Sequence, residues 1–147
     1  MGKDLKVDIG EVRLNVRCGL IMRHGDDVVI EISKIGRNSV IPGGRIQTLE
    51  SSRDAIIREI KEEMGLCLEK IKIRPVTVLE NFFEDGGKGF HEIYFLYEYI
   101  LSPKEAEAIN AIGTNMDNRE TYFKLVDAKR VEEYNLLPKA LYEYVIE

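Results

Sequence analysis

The sequence has no tryptophan, two histidines, two cysteines, four prolines and no long apolar run in 147 residues. Without a stretch of about 18 apolar residues there is no membrane-spanning helix to place. The opening MGKDLKVDIGEV holds no apolar signal core, and Lys6 stands where a myristoylation motif has Ser or Thr. A cytoplasmic protein with no membrane partner is expected. Cys18 and Cys67 sit singly in VRCGLIM and GLCLEKI, with no CxxC spacing, so they read as buried reduced thiols. His24 and His91 each lack a second His for metal binding. Basic blocks are missing too: 26 acidic residues exceed 21 basic ones, and the formal charge of −5 argues against broad contact with polymeric nucleic acid. No linker, repeat or low-complexity segment breaks the chain, so one domain over 1–147 is expected.

What is present reads as alternating strands and helices. VRLNVRCGLIM and DDVVIEIS are β-branched strands joined by the turn RHGDD, and SKIGRNSVIPGGR is a loop of turn formers. LCLEKIKIRPVTVLENFFE and the aromatic FHEIYFLYEYIL form strands around the turn DGGKG. SPKEAEAINAI has Ser at a cap and Pro at the first helical position, ETYFKLV is a last strand, and DAKRVEEYNLLPKALYEYVIE is a helix interrupted near Pro138. The sum is an α/β (α+β) fold, a mixed central sheet with helices packed on it.

The segment GRIQTLESSRDAIIREIKEEMGL, 44–66, carries the chemistry. Ser51 with Asp54 forms a cap, Ile56, Ile57, Ile60 and Met64 recur at helical spacing, and Gly65 suits the left-handed terminal position. At 100° per residue Glu59, Glu62 and Glu63 fall within an arc of about 100°. Like charges at these spacings cost about 0.2–0.5 kcal/mol per pair, and acids in the last turns also oppose the helix dipole. Glu63 lies about 20° from Ile56 on the wheel, at the rim of the face that must be buried. A hard divalent cation relieves both costs, because Mg²⁺ accepts carboxylate oxygens and bridges to phosphate.

The spacing Gly44, five residues, Glu50, seven residues, Arg58, Glu59, Ile60, one residue, Glu62, Glu63, one residue, Gly65, Leu66 matches the Nudix box at every specified position, and the chain resembles the Nudix (MutT-like) hydrolases. By chance the match is expected at a frequency on the order of 10⁻⁷. IPGG upstream and the element order agree with that family's α/β/α sandwich. The resemblance implies metal-dependent attack of water on a nucleoside diphosphate linked to another group. It implies Glu59 and Glu63 as principal Mg²⁺ (or Mn²⁺) ligands, Glu62 as a direct or water-mediated one, and the Gly43 carbonyl as a further ligand. Arg58 is expected to orient the carboxylates, paired with Glu50. The general base is a box glutamate or an acid outside it, Glu120, Asp117 or Glu92. Many relatives have Glu where this chain has Gln47, Gly where it has Leu49, and a Trp shortly before PGG.

Substrate choice stays open between an NDP-sugar such as ADP-ribose and a nucleoside triphosphate, with a capped or dinucleotide substrate behind them. ENFF and HEI on successive strands resemble a group of bacterial Nudix proteins without a firm substrate. Phe82, Phe83, Tyr94, Tyr122 and Phe123 are candidates to stack a base, and Arg13, Arg17, Arg37 and Arg45 to meet phosphate. The alternative is a Nudix-fold regulatory module that binds a nucleotide without turnover, and intact box carboxylates favour the enzyme. The sequence leaves oligomeric state open; the resemblance allows a homodimer, and FHEIYFLYEYI, read as an exposed aromatic strand, is one place for a partner to pack.

Overall fold

The computed structural model of the chain describes residues 2–147. Eight strands form one mixed sheet: β1 (Lys6–Ile9), β2 (Val12–His24), β3 (Asp27–Ser33), β4 (Ser39–Val40), β5 (Gly43–Arg45), β6 (Arg74–Asp85), β7 (Lys88–Ile100) and β8 (Thr121–Asp127). The helices are α1 (Ser52–Met64), α2 (Pro103–Ile112) and the short α3 (Tyr142–Ile146). No helix among the described residues is long and apolar enough to cross a membrane.

The long strand β2 organises the sheet. One edge pairs in parallel with β7 from Val12↔Gly89 to Arg23↔Ile100. The other edge takes three antiparallel partners in turn, β1, β5 and β3. With β3 the pairing covers only Arg23↔Val28 and His24↔Asp27. The two strands then part, β3 continuing against β8 on its far side, and residues 39–45 fill the opening.

Period-2 alternation sends side chains to two cores. Cys18, Leu20 and Met22 meet Ile56, Ile60 and Met64 of α1 and Ile109 of α2. Ile21, Ile30 and Tyr94, on the other face, meet Val131, Leu136, Leu141 and Val145 of the C-terminal segment. The run CGLIM is apolar throughout because both faces of β2 are covered there.

Four expectations need correction. β1 was not expected, its four residues being exposed and too short for a clear alternation. The C-terminal helix is divided: Ala128–Tyr134 and Lys139–Leu141 are 3₁₀ turns, and only Tyr142–Ile146 is α-helical, because Asn135 takes a left-handed conformation and Pro138 supplies no N–H. Cys67 is exposed just past the helix end; only Cys18 is buried. FHEIYFLYEYI belongs to the interior strand β7, between β2 and β6, so its backbone edges are already paired and offer a partner no free edge.

Local chemistry sets α1. The Ser51 hydroxyl accepts from the Asp54 amide at 3.0 Å, and Gly65 closes the helix at φ 71°. Just before it, the Glu50 carboxylate accepts from the Gln47 amide, and Leu49, fully exposed, is held at φ 61°. A left-handed non-glycine residue costs about 1–2 kcal/mol, a strain that a Gly at this position would not carry. Ser51→Ala is expected to lower unfolding free energy by about 1 kcal/mol in urea titrations. Leu49→Gly is expected to raise it by about 0.5–1 kcal/mol, since relieved strain exceeds the added unfolded-state entropy and no packing is lost. A loss of stability in Leu49→Gly would refute the strain.

Candidate active site

The site is built around the Arg58 guanidinium. Its Nε donates to Glu50 Oε2 at 2.7 Å and its Nη2 to Glu50 Oε1 at 3.0 Å, a bidentate fork. Nη2 also donates to the Arg45 carbonyl at 3.0 Å, and Nη1 to Glu59 Oε1 at 2.8 Å and Glu62 Oε2 at 3.4 Å. One side chain therefore ties the loop before α1, strand β5 and two acids of the helix together. A compact ammonium has no geometry to do so. The same pairing holds the Glu50 carboxyl below its ordinary range and raises the Arg58 guanidinium further.

Glycine sets the distance from loop to helix. A Cβ at Gly44 would lie 2.5 Å from the Glu59 carboxyl carbon, and one at Gly43 would lie 2.1 Å from the Cys18 carbonyl oxygen. Only residues without side chains bring β5 this close to both β2 and the carboxylates.

Glu63 points inward and is 8% exposed. Its Oε2 accepts from Asn115 Nδ2 at 3.2 Å, and the Gly43 amide lies close to the carboxylate, but the buried Oε1 has no well-formed hydrogen bond. Asn115 Nδ2 also donates to Glu31 Oε2 at 2.8 Å, and Thr121 Oγ1 donates to the same oxygen at 2.6 Å. Burial, reinforced by the charge of Glu31, pushes the Glu63 carboxyl up to about 8. Burial likewise raises Glu59, against the pull of Arg58. Glu31, Asn115 and Thr121 escaped the sequence reading. The available signal was Glu31 itself, an acid two residues from the apolar Val29 on the same face of DDVVIEIS.

Loop 113–120 docks on the end of α1 through the Met116 amide, which donates to the Glu63 carbonyl at 2.8 Å. Within it, Asp117 lies near enough for its charge to raise Glu59. Glu120 is exposed, and its carbonyl accepts from the Lys34 amide. Glu92 stands apart from these acids, 8% exposed, accepting from Asn15 Nδ2 at 3.3 Å and Asn81 Nδ2 at 3.2 Å. It lines a cavity of about 530 Å³ together with Arg17, Ile41, Phe83, Tyr94 and Lys139.

Other candidates are placed elsewhere. Phe123 is core, and Phe82 lies on the opposite face of β6 from Phe83, edge-on to His91 at 4.6 Å. Tyr122 is half-buried opposite Ile32. His24, half-buried, has Nδ1 3.4 Å from the Leu101 carbonyl. Arg13 pairs with Asp8 at 2.9 Å, Arg37 is exposed, and Arg45 Nε donates to Asn15 Oδ1 at 3.1 Å.

The donor set suits a hard divalent cation: the carboxylates of Glu59, Glu62 and Glu63, with one buried carboxylate oxygen short of a well-formed hydrogen bond. Among the described residues no three Asp, Glu, His or Cys side chains are already gathered in a ligating group. Arg58 engages Glu59 and Glu62 instead.

Glu63 links this geometry to pH. Between its ordinary value of 4.5 and about 8 the folded chain keeps a proton that the unfolded chain has lost. In EDTA, stability contributed by protonated Glu63 is therefore present below pH 4.5 and lost as pH rises to about 8, with Glu59 acting in the same direction. Urea unfolding at pH 5, 6.5 and 8 is expected to show this decline, with Glu63→Gln flattening it. An unchanged slope in the variant would contradict the burial of an ionisable Glu63.

Comparison with known proteins gives the family and the fold. The family model described as NUDIX domain matches residues 13–143. A MutT NUDIX hydrolase from Burkholderia pseudomallei superposes with TM-score 0.59 at 20% identity, covering 79% of this chain and 84% of that one. An Ap4A hydrolase from C. elegans gives 0.60 at 16% identity, with 89% and 92% covered. A MutT protein from Bacillus halodurans gives 0.61 at 17%, with 90% and 82% covered. At such identities the likeness shows the fold, while the family match spans most of the chain, which therefore belongs to the Nudix family of hydrolases.

Proposed function

We propose that this chain is a divalent-cation-dependent pyrophosphohydrolase, cleaving a nucleoside diphosphate linked to a sugar or a further phosphate by attack of water on a phosphorus. The observation that carries this reading is the buried Oε1 of Glu63, short of a well-formed hydrogen bond and set among the acids Glu31 and Glu59. A protein gains nothing in stability from such a group, and a cation satisfies it.

Glu59, Glu62, Glu63 and the Gly43 carbonyl would hold Mg²⁺ or Mn²⁺. When bound, the ion offsets phosphate charge and polarises the attacked phosphorus. The chain's own residues do the rest. Arg58 fixes Glu59 and Glu62 against Glu50, and Asn115 aims Glu63. Arg17 and Lys139 bring positive charge to the adjoining cavity. The proton of the attacking water passes to a carboxylate. Of the two exposed acids Asp117 and Glu120, Asp117 is the better placed for this, since its charge reaches Glu59.

Product analysis on nucleoside diphosphate sugars, nucleoside triphosphates and dinucleoside polyphosphates, with Mg²⁺, Mn²⁺ or EDTA, tests the proposal. Turnover is expected only with cation, and Glu63→Gln is expected to reduce kcat by orders of magnitude while leaving the fold intact. Binding of a nucleotide without turnover would instead support a regulatory module. At saturating Mg²⁺, Asp117→Asn is expected to lower kcat more than Glu120→Gln, and the reverse order would move the base to Glu120.

A further inference from the structure

The 530 Å³ cavity has a floor that stability does not explain. Asn15 of β2 and Asn81 of β6 both stand opposite Glu92 of β7, so three polar side chains form a row across three neighbouring strands on one face. Each Glu92 oxygen accepts one asparagine amide, and Arg17 Nε is 4.0 Å from Oε2. Asn15, 2% exposed, is itself held by Arg45. Two amides thus fix a nearly buried carboxylate in place where apolar residues would pack at no loss. A carboxylate has about four acceptor positions, so roughly two remain. The walls are apolar, with Phe83 stacked on Phe90 at 4.8 Å and 7°. The volume is that of a small-ligand site.

Arg45 joins this floor to the box, since its carbonyl takes Arg58 and its side chain takes Asn15. Ile41, which also lines the cavity, is two residues before Gly43. A substrate whose phosphates meet the box therefore has its nucleoside end within reach of Glu92.

We propose that Glu92 determines base specificity and that the cavity takes guanine. This rests on the proposed function and narrows the substrate to a guanosine diphosphate derivative, away from ADP-ribose. On its pairing edge guanine carries two adjacent N–H donors, N1–H and the 2-amino group, which match a carboxylate. Adenine and cytosine set a ring acceptor beside their amino group, and uracil sets one N–H between two carbonyls. Each of these turns an acceptor toward Glu92 and leaves a buried polar pair unmade. The guanine O6 then faces the cavity's remaining donors, the second Asn81 N–H and Arg17.

Calorimetric binding of GDP, IDP, ADP and UDP to the full chain with Mg²⁺ tests this without requiring turnover. GDP is expected to bind about ten- to a hundredfold tighter than ADP and UDP, with IDP, which lacks the 2-amino group, in between. Glu92→Gln presents one donor and one acceptor, and is expected to weaken GDP about tenfold and strengthen ADP. A merely structural Glu92 would lower all four together. If that variant does not fold, the wild-type ranking decides. A flat ranking, a preference for ADP, or no binding overturns the proposal. Selective GDP binding with no hydrolysis of any guanosine compound sinks the proposed function and keeps this inference; hydrolysis indifferent to base does the reverse.

Discussion

The fork between Arg58 and Glu50 is the interaction on which the site depends. Glu59 and Glu62 are like charges one turn apart or less, and Glu63 is driven into the interior beside Glu31. Left alone, these acids would splay into solvent or take up protons. Arg58 gives them a fixed cation inside the protein, and Glu50 fixes Arg58 in turn. Replacing the arginine by any other cation would lose the planar fork that serves three carboxylates and a carbonyl at once.

That constraint reaches outward through the backbone. The Arg45 carbonyl binds the fork, so β5 must lie against α1, which requires glycine at 43 and 44. Because β5 occupies the edge of β2 at residues 17–19, β3 meets β2 only at its far end. The opening so created is filled by residues 39–45, which line the cavity on one side and the carboxylates on the other. An electrostatic requirement at one arginine thus helps to fix both the sheet topology and the cavity beside the carboxylates.

Much of this was legible from residue order. The helix 52–64, its caps at Ser51 and Gly65, and the box residues follow from local signals, because capping, helical spacing and fixed motif distances all act within a few residues. The Glu31–Asn115 pair and the row that sets Asn15 beside Glu92 were not legible, since those partners are separated by tens of residues and become neighbours only through strand register; Asn81 and Glu92 are 11 residues apart across one hairpin, but their pairing still depends on its register. The C-terminal segment was overread as helix because its apolar spacing suits one. Packing against the sheet with Pro138 in the middle selects short 3₁₀ turns instead. Leu49 shows the converse, a residue whose type gives no hint of the left-handed backbone that the turn 47–50 imposes.

The most direct measurement is Mn²⁺ binding followed by the electron paramagnetic resonance signal of the free ion, for the wild type, Glu63→Gln and Arg58→Lys. Saturable binding is predicted for the wild type, its loss for Glu63→Gln, and affinity about ten- to a hundredfold lower for Arg58→Lys, whose side chain touches no ion and acts only by positioning. Equal affinity in all three would contradict both the buried glutamate as a ligand and the arginine fork as the element that holds the site in shape.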